Sequence, residues 1–485
     1  MSGVFRFAAI CFAFVGFLIC ISALIGSKHT DQTTNLIIAG VIIYVSVSLF
    51  FAFRRGDWAI NRVESFMLLV ILWTVLPLPV AISFMQITDL SLIDAYFEAT
   101  SALTTTGASN FQILEDVPIA VIVLRGLIQW VGGLLTLVGV VLIMAPAGLG
   151  GLSVSHSYYS HGETDITRYQ ARQVIVNLAA AYIIMSIFCF IALNATSVPV
   201  FDAFHLMTAA AATGGMVGTD TPISSLGNRF TPYVLSFCML IAATSVLWQK
   251  NLLTRRFDLL KQHRETYFYL AAFAILGITF AATFFQRAGS TEVLAPASAL
   301  TEGFFTAASL VSTTGLEIRN GSFSILPAPF ILLVVLIGGC SLSTAGGISF
   351  YRIGGMLSHS VKEFAKLVYP NSVQPERFGS QRYNVEKIKA IWSYFFAVMV
   401  VVMMGAVFLS LRLDSFEAAL IASVAAFSNI GGFYATGWSE TGQWTAFHQM
   451  DAETKVVLSI LMILGRLHIL VLLTAFNRVY WLHSR

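Results

Sequence analysis

The sequence predicts an all-α integral membrane protein with ten transmembrane helices, arranged as an N-terminal helical hairpin and four helix–pore-loop–helix repeats around a central pore. Three observations predict this fold: the composition, ten long apolar segments and a short motif that recurs four times. Of the 485 residues, 57% are hydrophobic and 11% are charged, and the mean hydropathy is +0.79. Soluble domains average about 25% charged residues, so lipid must cover most of this surface. The small net charge of +3 does not indicate a nucleic-acid-binding surface.

Ten apolar segments are long enough to cross a membrane, because a hydrocarbon core about 30 Å thick needs roughly 20 helical residues. Lipid offers no hydrogen bonds, so the backbone N–H and C=O groups must pair within each segment, which favours helices. The segments lie near 7–26, 35–53, 66–86, 119–146, 174–195, 230–249, 267–286, 325–351, 390–411 and 456–482.

Basic residues divide the loops between these segments into two sets. Most Lys and Arg residues fall in one set, which comprises 54–65, 146–173, 250–266 and 352–389. The positive-inside rule places that set, together with both termini, in the cytoplasm.

The recurring motif lies in the outer loops. Each copy is a short apolar stretch that breaks at glycine and is too short to span the membrane: Asp94–Ser109, Asp202–Gly218, Glu302–Leu316 and Glu417–Gly432. Such a stretch suits a re-entrant helix followed by a non-helical loop, which membranes tolerate only where it lines water or is buried in protein. The recurrence divides the chain into a hairpin, 1–62, and four pore repeats, 63–150, 151–252, 253–356 and 357–485.

The Thr-Thr-Gly pattern within these stretches suits cation binding. A dehydrated cation needs a ring of oxygen ligands, which the backbone carbonyls of an extended loop supply. Glycine adopts backbone angles that a Cβ atom would block, and the preceding helix points the negative end of its dipole at the cation. Small residues also allow close helix packing, but four copies at equivalent places favour a pore.

Longer motifs accompany this pattern. They are YFEATSALTTTGAS in the first repeat, LRGLIQWVGGLLTLVGVVLIMAP after it, GGCSLSTAGGIS in the third repeat, KLVYPNSV before the fourth and MILGRLHIL within it. With these motifs the chain resembles, over nearly its whole length, the Trk/Ktr/HKT superfamily of potassium transporters, and in particular the bacterial Trk-type potassium uptake membrane subunits.

The resemblance implies a selectivity filter with one functional glycine per repeat. In the second repeat Gly214 and Gly215 are both candidates, and we favour Gly215 because Thr213 then aligns with Thr105 and Thr313. Glycine at all four positions implies a preference for potassium over sodium. The filter residues implied by the resemblance are Thr104, Thr105, Thr106 and Gly107; Ala212, Thr213, Gly214 and Gly215; Ser312, Thr313, Thr314 and Gly315; and Ser428, Asn429, Ile430 and Gly431.

Four glycines interrupt the second helix of the third repeat, since glycine is a poor helix former. The resemblance implies that this stretch is a movable loop that closes the pore below the filter. The chain departs from the family pattern at Leu342, where glycine is common, and at Ser349, where lysine is common, which suggests a stiffer or bulkier gate. The alternative is a packing kink without a gating role. The four glycines are Gly338, Gly339, Gly346 and Gly347.

Arg466 lies eleven residues into the last segment, which is about 16 Å from its outer end at ~1.5 Å per residue. A charge so near the bilayer centre is costly and seldom faces lipid. Facing the pore, Arg466 would set an electrostatic barrier to cations beneath the filter. It would also suit binding to carbonyls freed in the glycine-rich stretch, and the two roles are compatible.

The resemblance implies potassium uptake across the cell inner membrane by a homodimer, controlled by the loop and by a cytosolic nucleotide-binding regulatory subunit, and no enzymatic activity. Potassium would be transported and bound in the filter. The alternatives are a symporter coupled to protons or sodium and a less selective potassium/sodium transporter. Coupling to protons requires a protonatable group at mid-membrane in the pathway, for which His468 is the only candidate in the sequence.

Overall fold

A computed structural model describes residues 2–27, 32–53, 62–148, 151, 168–261, 263–288, 296–369, 377–378, 381–382, 385–434, 438, 444–469 and 471–472. Among these residues helices dominate, and the strands are limited to one antiparallel pair of two residues each, β1 (Arg377–Phe378) and β2 (Gln381–Arg382). The prediction of an all-α membrane protein is confirmed.

Helices α1 and α2 form the N-terminal hairpin, and each later repeat contains a first helix, a short pore helix and a second helix. The hairpin is α1 (Ser2–Gly26) and α2 (Thr33–Ala52). The first repeat has α3 (Arg62–Thr74), α4 (Pro77–Ile87), the pore helix α5 (Leu92–Leu103) and α6 (Ile119–Gly139), which continues as a π-helix over Val140–Met144. The second has α7 (Arg168–Ala195), the pore helix α8 (Val200–Ala212), α9 (Thr231–Ala242), α10 (Val246–Leu253) and α11 (Phe257–Leu260). The third has α12 (Arg264–Ala288), the pore helix α13 (Pro296–Val311), α14 (Ala328–Ile337) and α15 (Phe350–Val368). The fourth has α16 (Val385–Ser410), the pore helix α17 (Phe416–Phe427) and α18 (Ala452–Leu467).

The four repeats pack into a closed ring. The second helix of each repeat contacts the pore helix of the next: α6 contacts α8, α9 contacts α13, and α14 contacts α17. The ring closes because α18, the second helix of the fourth repeat, contacts α5, the first pore helix. The N-terminal hairpin lies outside the ring, where α1 packs on α3, α4 and α6.

Seven of the ten predicted segments are helices long and apolar enough to cross a membrane, among the residues described. In one of them the helical hydrogen bonding is interrupted between α3 and α4, where Pro77 lacks the N–H that would continue the pattern. The other three predicted segments are the second helices of the second, third and fourth repeats, and each of these is interrupted.

The prediction of one continuous helix over 230–249 is wrong, because α9 and α10 meet at an angle of 104°. The predicted break within 325–351 is present, since α14 ends at Ile337 and α15 starts at Phe350. In the last segment, 456–482, α18 ends at Leu467 and His468 has a positive φ of 52°. The part of that segment beyond residue 472 lies outside the described residues.

Candidate cation filter and gate

The loops that follow the four pore helices share one backbone turn. In each loop, the residue two positions before the predicted filter glycine has a positive φ. The residue between that position and the glycine donates its backbone N–H to the carbonyl of the residue five positions earlier in the chain. The φ values are 54° at Thr105, 50° at Thr213, 59° at Thr313 and 55° at Asn429. The hydrogen bonds, each 2.9 Å long, run from Thr106 to Ser101, Gly214 to Ala209, Thr314 to Ser309 and Ile430 to Ala425. This turn aligns Gly215, rather than Gly214, with the other three glycines.

The four glycines lie around a common centre, in the order of the repeats. A Cβ atom added to any of them would fall against the next loop of the ring; at Gly107 and Gly431 it would meet backbone atoms at less than 3.0 Å, so there only glycine allows the loops to approach this closely. Such a Cβ would lie 2.6 Å from Gly215 Cα if added to Gly107, 3.0 Å from Thr314 O if added to Gly215, 2.8 Å from Ile430 Cγ1 if added to Gly315, and 2.7 Å from Gly107 C if added to Gly431.

Side-chain hydroxyls support the loops of the first and third repeats. Ser101 Oγ donates to the carbonyl of Ala108 over 2.6 Å, and Ser309 Oγ donates to that of Leu316 over 2.7 Å. A second contact joins hydroxyls on either side of the turn, Thr104 with Thr106 at 2.8 Å and Ser312 with Thr314 at 2.7 Å. The residues equivalent to the two serines in the second and fourth repeats are Ala209 and Ala425. These two loops therefore rely on other residues for support.

Gln129 supports the second loop from α6. Its side-chain Oε1 accepts the backbone N–H of Met216 over 2.9 Å, and its Nε2 donates to the Met216 carbonyl over 3.3 Å. In the fourth loop, Asn429 Nδ2 donates to Thr106 Oγ1 at 3.1 Å and to the carbonyl of Met462 at 2.9 Å. Sequence reasoning missed the role of Gln129, although a buried amide in a membrane-crossing helix is a usable signal.

Gln129→Leu should lower the stability of the protein. The change leaves the N–H and C=O of Met216 without their side-chain partner, and each unsatisfied buried group costs about 1–3 kcal/mol. We expect a lower thermal unfolding midpoint in detergent, measured by intrinsic fluorescence. The control is Gln286→Leu, at an exposed position of α12. Equal midpoints for the two variants would exclude a supporting role for Gln129.

The glycine-rich loop, Gly338–Ser349, closes on itself between α14 and α15. Gly338 and Gly347 have positive φ values of 72° and 82°, and a Cβ atom added to Gly347 would lie 2.8 Å from Gly338 Cα. The two ends of the loop can therefore meet only because both positions are glycine. Similar crowding occurs at Gly339, where an added Cβ would lie 2.4 Å from the Cβ of Ala345.

The glycine-rich loop contacts the inner ends of the filter loops. Gly346 donates its N–H to Thr313 Oγ1 over 2.8 Å, and a Cβ atom added to Gly346 would lie 2.0 Å from the carbonyl oxygen of Ser428. Thr344 Oγ1 donates to the carbonyls of Ala242 at 3.2 Å and Ala211 at 3.4 Å. The loop thus lies against the second, third and fourth repeats directly beneath the ring of glycines.

The bend between α9 and α10 also contacts the glycine-rich loop. Cys340 donates its N–H to the carbonyl of Ala243, and Val246 donates its N–H to the carbonyl of Leu342, both over 3.0 Å. These bonds pair backbone groups that a continuous helix over 230–249 would have satisfied internally. The bend therefore has a physical cause that lies about a hundred residues away in the sequence.

The two departures from the family pattern coincide with unusual backbone conformations. Leu342 has a φ of 57° and Ser349 a φ of 90°, where a Cβ atom costs roughly 1–2 kcal/mol per residue. Leu342 is buried and belongs to the same apolar cluster as Val140 and Met144 of the π-helical segment. The leucine thus fills space beneath the filter at the expense of backbone strain.

Arg466 links the first filter loop to the glycine-rich loop. Its Nε donates to the carbonyl of Thr104 at 2.7 Å, its Nη1 to the carbonyl of Thr344 at 2.6 Å, and its Nη2 to Thr105 Oγ1. The side chain is buried, and it borders a cavity of about 40 Å³ that Arg352 and His468 also line. Arg466 therefore binds a carbonyl of the glycine-rich loop, as the sequence predicts. Its role as an electrostatic barrier to cations stays a prediction.

Two buried acids with clear partners were missed by sequence reasoning. Glu98 of α5 lies 2.7 Å from Arg125 Nε and accepts the N–H of Asn110 at 2.6 Å, so this pair fixes the exit of the first filter loop. Glu265, at the start of α12, accepts hydrogen bonds from Ser341 in the glycine-rich loop. Neither role follows from apolar periodicity, because the partners of each acid lie outside its own helix.

At the outer mouth, α5 and α18 are joined by an ion pair, in which Lys455 Nζ lies 2.5 Å from Asp94 Oδ1. Partial burial opposes ionisation of Asp94, but hydrogen bonds and charge from Lys455 and Ser91 outweigh it and lower the pKa of the carboxyl group. The contact strengthens the closure of the ring between the fourth and first repeats.

A multi-pass helical membrane protein built from four repeats of the same geometry around one axis belongs to the class of membrane transport proteins. The family model described as TrkH, cation transport protein, matches residues 32–480, and the chain belongs to this family. Its members are transport proteins, so this chain is not an enzyme.

The relatives are similar over nearly their whole length. The Trk system potassium uptake protein TrkH of Escherichia coli (strain K12) is 26% identical over 453 residues, which cover 91% of this chain and 90% of that protein. The protein of the same name from Vibrio parahaemolyticus is 27% identical over 454 residues, with the same coverage of 91% and 90%. The crystal structure of the potassium transporter TrkH from Vibrio parahaemolyticus matches with a TM-score of 0.85 over 99% of both chains at 22% identity, and so has the same fold.

Proposed function

We propose that this protein takes up potassium across the bacterial inner membrane through a channel-like pore in each chain. The observation that carries the proposal is the closed ring of four glycines, each at the same place in the same backbone turn. The curated relatives of the chain are potassium uptake proteins, which supports potassium as the transported ion.

In this proposal potassium binds in a filter formed by the backbone carbonyls of the four loops. The segments 104–107, 212–215, 312–315 and 428–431 supply the oxygen ligands. Pore helices α5, α13 and α17 each end one residue before the first ligand residue of their loop. Pore helix α8 ends at Ala212, which is the first ligand residue of the second loop. The negative ends of four helix dipoles therefore point toward the bound cation. Gly107, Gly215, Gly315 and Gly431 set the spacing on which potassium selectivity depends.

The gate in this proposal is the glycine-rich loop, controlled by Gly338, Gly339, Gly346, Gly347 and Arg466. Its contacts with the inner ends of the filter loops support a position that blocks the pathway. Opening requires the hydrogen bond from Arg466 to Thr344 to break and the loop to move aside.

The proposal includes two protein partners. A cytosolic nucleotide-binding regulatory subunit would dock on the basic inner loops, where Arg255, Arg256 and Lys261 are exposed. With both termini in the cytoplasm, these loops face that side. A second copy of the chain would complete a homodimer, for which the exposed apolar face of α15, including Leu357, Val361 and Phe364, offers a contact surface.

Flux through purified protein in liposomes tests the proposed function. We expect potassium to move down its gradient and to carry current, with smaller sodium flux and no requirement for a proton gradient. Protein-free liposomes serve as the control. Potassium flux that depends on a proton or sodium gradient would favour the symporter instead, and equal sodium and potassium flux would favour the less selective transporter. The absence of potassium flux from folded protein, both in the wild type and in variants that weaken the attachment of the glycine-rich loop, would refute the proposal.

A further inference from the structure

Glu265 is a buried acid that the proposed pathway does not use. It is the second residue of α12, and it is 8% exposed. Its Oε1 accepts the backbone N–H of Ser341 at 2.5 Å and that of Tyr351 at 3.1 Å, while its Oε2 accepts the Ser341 hydroxyl at 2.7 Å. All three donors belong to the glycine-rich loop or to the helix that directly follows it.

The three bonds hold the two ends of the glycine-rich loop together. Ser341 lies in the first half of the loop and Tyr351 is the second residue of α15, so one carboxylate bridges the start of the loop and the helix that ends it. Hydrogen bonds to an ionised carboxylate are roughly twice as strong as neutral ones. A carboxylate at the N-terminus of α15 is also stabilised by the helix dipole.

The same carboxylate connects the loop to the inner surface of the protein. The segment 246–265 contacts the glycine-rich loop at both of its ends, because Val246 donates its N–H to the carbonyl of Leu342 and Glu265 accepts from Ser341. Between these ends lie the exposed basic residues Arg255, Arg256 and Lys261. A movement of this segment therefore displaces both of its contacts with the loop.

We propose that Glu265 is a positioning residue that holds the glycine-rich loop in its blocking position, and that the segment 246–265 transmits movement of the inner surface to the loop through Glu265 and Val246. This inference rests on the proposed function, since it assigns a regulator to the gate of that pore. When the loop moves aside, the carboxylate loses its buried donors and must gain water, because a buried charge without partners is strongly unfavourable.

The flux test compares Glu265→Ala and Ser341→Ala with the wild type in liposomes. We expect Glu265→Ala to raise basal potassium flux about tenfold, with the potassium-to-sodium ratio unchanged, because the filter is not altered. Ser341→Ala, which removes only the hydroxyl bond, should give a smaller increase. The control is Glu386→Ala, an exposed acid in the first turn of α16, which should leave flux unchanged.

A second readout reports on the loop itself and needs no transport. Cys340 lies in the loop and is 3% exposed, so its labelling by a membrane-permeant maleimide measures how often the loop opens. In a background with Cys11, Cys20, Cys189 and Cys238 replaced by alanine, Glu265→Ala should speed labelling about tenfold. If Glu265→Ala does not yield a monodisperse protein, Glu265→Gln, which keeps the side-chain shape, takes its place.

The two readouts separate the possible failures. Faster labelling without potassium flux in any variant would refute the proposed function and leave the role of Glu265 standing. A different result would overturn the role of Glu265 and leave the proposed function standing. In that result the wild type conducts potassium, while the Glu265 variant shows unchanged labelling of Cys340 and unchanged or reduced potassium flux.

Discussion

Gly107→Ser is expected to lower the potassium-to-sodium permeability ratio by about tenfold or more, which corresponds to ~1.4 kcal/mol of lost discrimination. The added Cβ atom would lie 2.6 Å from Gly215 Cα, and Gly107 has a φ of 84°. Because the loops meet in a ring, moving the first loop also displaces the second, and carbonyl spacing changes on both. Reversal potentials in mixed potassium and sodium measure the ratio.

The matched control is Gly321→Ser in the outer loop. Gly321 has nearly the same backbone conformation, with a φ of 83°, but an added Cβ atom would have its nearest neighbour, Ser324 Oγ, at 3.6 Å. This variant carries the same backbone strain outside the ring and should retain the wild-type permeability ratio. If Gly107→Ser folds, conducts and keeps the wild-type ratio, Gly107 does not belong to the filter.

Arg466→Ala is expected to raise basal potassium flux about tenfold or more. The change removes the donor to the Thr344 carbonyl and so weakens the attachment of the glycine-rich loop to the first filter loop; a hydrogen bond to a charged group contributes about 1.5–3 kcal/mol. It also removes a positive charge that opposes a cation ~6 Å away by roughly 3 kcal/mol at an effective dielectric constant of about 20. Calibrated liposome flux measures the result.

Arg466→Lys separates these two contributions. The charge remains, but an ammonium group cannot reproduce the planar set of donors with which Arg466 joins Thr104, Thr105 and Thr344. Since the guanidinium donates to three separate acceptors, we expect the lysine variant to resemble alanine more than the wild type. Arg412→Ala, which breaks exposed ion pairs with Asp451 and Glu453 at the outer surface, is the control. Loss of flux in a stable Arg466→Ala protein would mean that Arg466 holds the open pore together.

The helical architecture could be predicted from the sequence for two reasons. Long apolar segments in lipid must pair their backbone groups internally, which favours helices, and the glycine motif recurs at equivalent places in the chain. The break after Ile337 was predictable for a local reason, since several glycines fall close together. The alignment of Thr213 with Thr105 and Thr313 predicted Gly215 as the second-repeat glycine, and the shared backbone turn supports that choice.

Features that depend on contacts between repeats could not be predicted in the same way. The bend between α9 and α10 has no glycine or proline at Ala243, Thr244 or Ser245, and its cause is pairing with the glycine-rich loop. The roles of Gln129 and Glu265 likewise depend on partners 87 and 76 residues away in the chain. Local propensity and periodicity contain no information about such pairings.

The contact between α18 and α5 has a consequence for biogenesis. Pore helix α5 leaves the ribosome early, but α18, which packs against it, follows only after the intervening repeats, so α5 lacks this neighbour while most of the chain is made. At about 5–20 residues per second this interval lasts tens of seconds. During it, the polar Thr104–Thr106 segment must be sheltered by the insertion machinery or by water, since lipid would leave the carbonyls of Thr104 and Thr106 without the partners that the fourth repeat later supplies. A nascent chain arrested before α18 should therefore be a target for membrane quality-control proteases.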